Sequence, residues 1–181
     1  MVEKLFGQLG LAAAGTFGIE LMHGDALETG GEAAALVAPV FDALENSFSG
    51  TDGVYFEHKG AVLAIHTRAA PEALTTVIAR CRETLLLPDG YRLVEGHAGV
   101  EFLPEGATKS AAIAWFMTRP PFRNRVPVFL GDDTSDEIGF EWTNHNDGIS
   151  VRVGAPKPTA AKHALETVPE VHDWLKKLAR Q

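Results

Sequence analysis

Residues 126–140 read VPVFLGDDTSDEIGF. The apolar run Val126–Leu130 ends on Gly131 and is followed at once by Asp132, Asp133 and Asp136. That order predicts a buried strand delivering carboxylates at its C-terminal end, where open α/β sheets hold their ligands. Pro127 stands near the start of the run, where a strand tolerates a missing donor best. Thr134 and Glu137 have the spacing of a capping box and predict a helix start, with the helix over 135–142. Three acidic groups this close raise one another's pKa unless a cation sits among them. Carboxylate oxygens are the ligands Mg²⁺ prefers, usually one or two per site with phosphate and water. The same residues also read as a polar strand-to-helix turn in which one Asp bonds backbone amides.

Composition narrows the partners. The chain has 181 residues, 45% hydrophobic and 22% charged, with a net charge of −8. A core of ordinary size is expected, and non-specific binding to nucleic acid or to an anionic membrane is not. An anionic small substrate needs a local positive pocket. The single cysteine, Cys81, excludes an internal disulfide, suits a reducing cytosol and falls in a helical pattern, which makes it a packing residue. No stretch has the length and apolarity of a membrane span and no signal peptide is evident, so a cytoplasmic protein is expected.

Upstream, residues 2–9 predict the end of a helix, and 11–15 and 18–22 short strands, with 25–31 as a linker. Glu32–Asn46 has helical spacing, with Pro39 predicting a kink or a start nearby. Residues 54–57 and 61–67 predict a hairpin through His58, Lys59 and Gly60. Pro71 opens a helix over 73–87, and 91–95 with 99–103 predict a second hairpin. Residues 32–103 therefore give helix–strand–strand twice, an antiparallel sheet with helices on one face. From Pro104 helix and strand alternate: a helix over 108–117, strands over 126–130 and 149–153, and a last helix opened by Thr167 and Glu170. Its stripe Val168, Val171, Leu175 and Leu178 is expected to be buried. The three tryptophans, Trp115, Trp142 and Trp174, lie in amphipathic patterns and are expected in the core. The chain thus reads as an α+β module, 29–103, inserted into an α/β core made of 1–28 and 104–181.

Two further groups of residues bear on chemistry. Lys109 stands beside a helix start, where free amides bind phosphate oxygens and a lysine adds a full charge. The alternative is a solvated lysine in a first turn. Glu57 and Lys59 share one side of their strand, as His66 and Arg68 share one side of theirs, with Glu101 in the second hairpin. Such a face could hydrogen-bond a sugar's hydroxyls, or be an ordinary solvated sheet face.

These motifs together resemble one family. VFLGDDTSDEIGF is similar to the fourth motif of the haloacid-dehalogenase phosphatases, in the form seen in the trehalose-6-phosphate phosphatases. PEGATKSAAI resembles their third motif, with Lys109 as the lysine that contacts the phosphoryl group. YFEHKGAVLAIHTRAAP and GVEFLP resemble the cap-domain strands, and AGTFGIE resembles the segment before the cap, with Phe17 where histidine is usual. The resemblance runs from about residue 5 to the C-terminus. It implies an incomplete Rossmann-like core with an inserted cap, and Mg²⁺-dependent hydrolysis of trehalose 6-phosphate to trehalose and phosphate. It assigns Asp132, Asp133 and Asp136 to the metal site, Lys109 to catalysis, and Glu57, Lys59, His66, Arg68 and Glu101 to the sugar.

The same resemblance exposes a gap. The family attacks phosphorus with an aspartate from an Asp-x-Asp motif, and these 181 residues contain no Asp-x-Asp. Covalent phosphoryl transfer has no substitute for a missing nucleophile. Ser110 stands where glycine is common and Leu103 where a basic residue is common. The chain is therefore expected to lack the segment carrying the nucleophile, to be inactive alone, and to self-associate through uncovered core. The alternatives are a non-catalytic sugar-phosphate binder or regulatory partner, and a phosphatase of another phosphosugar.

Overall fold

The computed structural model describes residues 9–24, 26–28, 31–83 and 89–180. The helix expected over 2–9 lies outside them except for its last residue. The chain divides into two compact units, residues 1–107 and 108–181.

The first unit is built on a four-stranded antiparallel sheet. Helix α1 (Gly31–Ser47) leads into strands β4 (Tyr55–Lys59) and β5 (Val62–His66). Helix α2 (Leu74–Glu83) leads into β6 (Tyr91–Gly96) and β7 (Gly99–Pro104). The sheet order is β4-β5-β7-β6, so the two helix–strand–strand repeats are joined through β5 and β7. Alternation sorts the side chains. Leu63, Ile65, Val100 and Phe102 face the helices and close a core with Val37, Phe41, Leu44, Val77 and Cys81. Cys81 is fully buried and its thiol is pushed up to about 12 by loss of solvent, as a packing residue requires. Helix α1 runs through Pro39, whose ring sits on the exposed side, so the helix neither starts nor ends there.

A smaller sheet precedes α1. Strands β1 (Ala13–Gly15), β2 (Glu20–His23) and β3 (Ala26–Glu28) pair antiparallel in that order. The third lies where a linker was expected, because Ala26 and Leu27 carry too short an apolar signal to mark a strand. Phe17 and Ile19 pack against Val62 and Leu103, on the side of the large sheet away from its helices.

The second unit contains α3 (Lys109–Met117), β8 (Val128–Gly131), α4 (Glu137–His145), β9 (Ile149–Val153), β10 (His163–Leu165) and α5 (Val168–Leu178). Its strands pair in parallel, in the order β10-β9-β8. Strand β10 has no counterpart in the sequence reading: three residues beginning with His163 show no apolar run. Helix α4 presses on β8 with Phe140 fully buried and its ring 5.5 Å from that of Phe129. The approach needs Gly139, where a Cβ would sit 2.4 Å from the Phe129 ring.

Several burial expectations are corrected. Strand β8 was expected to be buried, yet Val128 is 44% exposed and Phe129 and Leu130 are half-buried. It is the edge of its sheet, and among the described residues nothing pairs with its outer side. The apolar stripe of α5 is also open: Val168, Leu175 and Leu178 are 59%, 47% and 46% exposed. That helix packs on β10, which is too short to cover it. The tryptophans are half-buried, and Trp115 lies under the Arg119 guanidinium, 3.6 Å from its centroid. Among the described residues no helix is long and apolar enough to cross a membrane.

These exposures separate two substitutions. Phe102→Ala should cost about 3–5 kcal/mol in a urea titration, since it empties a fully buried site. Leu175→Ser should change stability by only about 0.5 kcal/mol, as surface substitutions do. A larger loss for Leu175→Ser would restore the buried stripe.

Candidate functional site

In the second unit the site is organised by one buried carboxylate. Asp136 is 4% exposed. Its Oδ1 accepts from Lys109 Nζ at 2.5 Å, and its Oδ2 accepts from the backbone N–H groups of Asp132 and Asp133 at 3.0 Å each. Gly131 makes room, because a Cβ there would lie 2.4 Å from the Asp136 Cγ. The glycine that ends β8 is thus the floor of the site. Burial alone raises the Asp136 pKa, but the Lys109 ammonium and the two amides outweigh it and hold the carboxyl below the usual carboxylate range.

The helix start differs from the expectation. The reciprocal box is formed by Asp133 and Asp136, each side chain accepting from the other's backbone N–H, and it opens a 3-10 turn over Thr134–Asp136 before α4. Asp133 Oδ1 also accepts from Thr134 N at 2.7 Å. Thr134 and Glu137, the expected box, do not form one. Glu137 instead reaches a distant loop, accepting from Thr159 Oγ1 at 3.1 Å and Ala160 N at 2.7 Å. The tight first turn selects a pairing one residue earlier than the expected one.

The three carboxylates therefore do not converge on one point. Asp136 is spent on Lys109 and two amides, and Asp133 on the helix cap. Among the described residues no group of three or more His, Cys, Asp or Glu is arranged to hold a metal ion. Asp132, exposed at the strand end, keeps its carboxylate clear of these bonds. One carboxylate, with phosphate and water, is within what Mg²⁺ accepts, so the donor set fits that ion through Asp132. Lys109 follows Thr108, which caps α3 by accepting from Ala111 N at 3.0 Å.

In the first unit the register brings Glu57, Lys59, His66 and Glu101 to one face of the large sheet, since Glu57 pairs with Ala64 and Ala64 with Glu101. Glu57 Oε2 lies 2.9 Å from His66 Nε2 and 3.3 Å from Lys59 Nζ, and Lys59 lies 3.5 Å from Glu101 Oε1. The hydrogen bonds from His66 and then Lys59 hold the Glu57 carboxyl below its ordinary value. Arg68 follows β5 and lines a cavity of about 190 Å³ with His66, His97, Gly99 and Glu101. The sequence reading did not single out His97 for this face; its only signal is its place in the turn between β6 and β7. His58 points the other way, 3.1 Å from Glu45 Oε2 of α1.

Asp136→Asn keeps the shape of the site and removes its charge. At neutral pH it should lower the stability of the second unit by about 2–4 kcal/mol. The native carboxyl stays ionised below the unfolded value of 3.8. Its contribution is complete above that value and is lost as pH falls through the lower folded one. The gap between wild type and variant in urea midpoints should therefore narrow below about pH 4; a gap that does not depend on pH would contradict the ion pair.

Residues 3–169 match the model of the trehalose-phosphatase family. The trehalose-6-phosphate phosphatase of Escherichia coli (strain K12) is 43% identical over 126 residues, which is 68% of this chain and 46% of that protein. The chain spans about half the length of the curated relatives it matches. Among solved structures, the C-terminal domain of a Candida albicans trehalose synthase regulatory protein superposes with a TM-score of 0.74 at 13% identity, covering 94% of this chain and 75% of that one. A haloacid dehalogenase-like hydrolase from Bacteroides thetaiotaomicron superposes with a TM-score of 0.69 at 14% identity, covering 98% of this chain and 82% of that one. Those two likenesses bear on the fold, which is haloacid-dehalogenase-like with an α+β module of two helix–strand–strand repeats. Because the family model matches residues 3–169 of it, the chain belongs to the trehalose-phosphatase family.

Proposed function

We propose that the protein binds trehalose 6-phosphate and serves its Mg²⁺-dependent hydrolysis to trehalose and phosphate, in trehalose biosynthesis in the cytoplasm. The observation that carries this reading is the Lys109–Asp136 pair at the mouth of β8, beside the open carboxylate of Asp132. In it Lys109 meets a phosphoryl oxygen, and Asp136 holds the lysine and the strand end in place. Asp132 is the protein ligand of the ion, and Asp133 orders the turn behind it. Bound there, the ion would neutralise phosphoryl charge. Glu57, Lys59, His66, Arg68 and Glu101 read sugar hydroxyls, for which their mixed donors and acceptors are suited. In this assignment 29–103 is the cap, and 1–28 with 104–181 the core.

The attacking group is not supplied by an Asp-x-Asp motif within these residues, so the 181-residue chain is proposed to bind without turnover. A regulatory, sugar-phosphate-binding role is the second reading. It is favoured by the same lack of an Asp-x-Asp motif within these residues.

Calorimetric titration of the 181-residue chain with trehalose 6-phosphate and Mg²⁺, followed by a phosphate-release assay, tests both points. Binding without release is expected, and Lys109→Met should weaken it at least about tenfold, as loss of a charge-assisted contact does. Phosphate release would overturn the proposed inactivity. Binding of other phosphosugars with equal strength would overturn the substrate assignment.

A further inference from the structure

The loop after β9 reads GAPKPTAA, residues 154–161, and places Lys157 between Pro156 and Pro158. Each proline fixes its own φ and pushes the residue before it toward extended backbone. Lys157 therefore sits on a stretch with little freedom left to lose. The far end of the loop is tied down by a chain of polar contacts. Glu137 accepts from Thr159 and Ala160. Asn144 Nδ2 donates to the Ala160 carbonyl at 2.8 Å. Ser150, fully buried, donates to Asn144 Oδ1 at 2.6 Å and accepts from Lys162 N at 2.9 Å. The loop cannot lift without breaking these bonds. It holds Lys157 Nζ 3.4 Å from the backbone carbonyl of Asp132.

The charge balance at that point needs explaining. Asp132, Asp133 and Asp136 bring three negative charges, and Lys109 one positive charge that Asp136 already engages. Those four side chains together repel a phosphate dianion before any metal is counted. Two further cations lie by the same strand end: Arg152, which pairs with Gly131 and is buried, and Lys157, which is exposed and reaches the Asp132 carbonyl. An ammonium has three donors, and the carbonyl of Asp132 uses one.

We propose that Lys157 is a second phosphate-contacting residue, which supplies the free positive charge that Lys109, engaged by Asp136, does not. This rests on the phosphate site proposed above. Neither the glycine-bounded motif nor the helix start points to it, and the contact arises only because Glu137 and Asn144 fasten a distant loop beside β8.

The test is titration of the chain with inorganic phosphate, without added metal, over a series of salt concentrations. Wild type is compared with Lys157→Met, Lys157→Arg and Lys109→Met, with thermal midpoints recorded for each. Lys157→Met should weaken phosphate binding about fivefold to tenfold and flatten its salt dependence, with the midpoint unchanged. Lys157→Arg should restore most of the affinity. Phosphate binding unchanged in Lys157→Met but lost in Lys109→Met would overturn this inference and leave the phosphate site standing. A lowered midpoint that arginine does not restore would show a strap rather than a ligand contact, and would also overturn it. No phosphate binding by the wild type would overturn both readings.

Discussion

Everything in the second unit depends on seating one ionised carboxylate under the end of a strand. Asp136 is nearly out of water, and a buried charge is tolerable only when paired and hydrogen-bonded. Lys109 supplies the pair and two consecutive amides supply the bonds. The arrangement imposes conditions on distant parts of the chain. Residue 131 must lack a Cβ. The turn from 134 must be tight enough to bring Asp136 back to the amides of 132 and 133. Helix α3 must begin at Lys109 with that side chain directed at Asp136, and the Thr108 cap fixes the start. A single electrostatic demand thereby links β8, α3 and the entry to α4.

The first unit answers a different demand. Its sheet buries one face under two helices and leaves on the other a row of ionisable groups, where Glu57, Lys59, His66 and Glu101 neutralise one another in sequence. Exposed pairs of this kind add little stability. They do hold donors and acceptors in place on a rigid floor, as the sugar contact proposed above would require.

Apolar surface tells a related story in the second unit. Val126, Val128, Val168, Leu175 and Leu178 are all substantially exposed, although their spacing is that of core residues. Periodicity reports which face of an element is apolar. Whether that face is covered depends on what packs against it, and among the described residues α5 packs chiefly on a three-residue strand.

Some properties were legible in the residue order alone. The order of elements was readable, because apolar spacing and turn residues act over a few positions. So was the repeat of helix, strand and strand in 32–103, and so was the sharing of one side by Glu57 and Lys59, since alternation puts alternate residues on one side, whereas the strand register brought Glu101 to them. The trehalose-phosphatase likeness was readable because its motifs keep their order along the chain. The tertiary structure decided what the carboxylates do. Asp132, Asp133 and Asp136 look equivalent in sequence, yet one is open, one caps a helix and one is locked to Lys109. It also decided that Glu137 leaves its own helix start to hold a loop more than twenty residues away, bringing Lys157 to the same strand end. Hydrogen bonds between distant residues leave no periodic trace in the chain, and burial of a charge depends on neighbours that only the folded arrangement supplies.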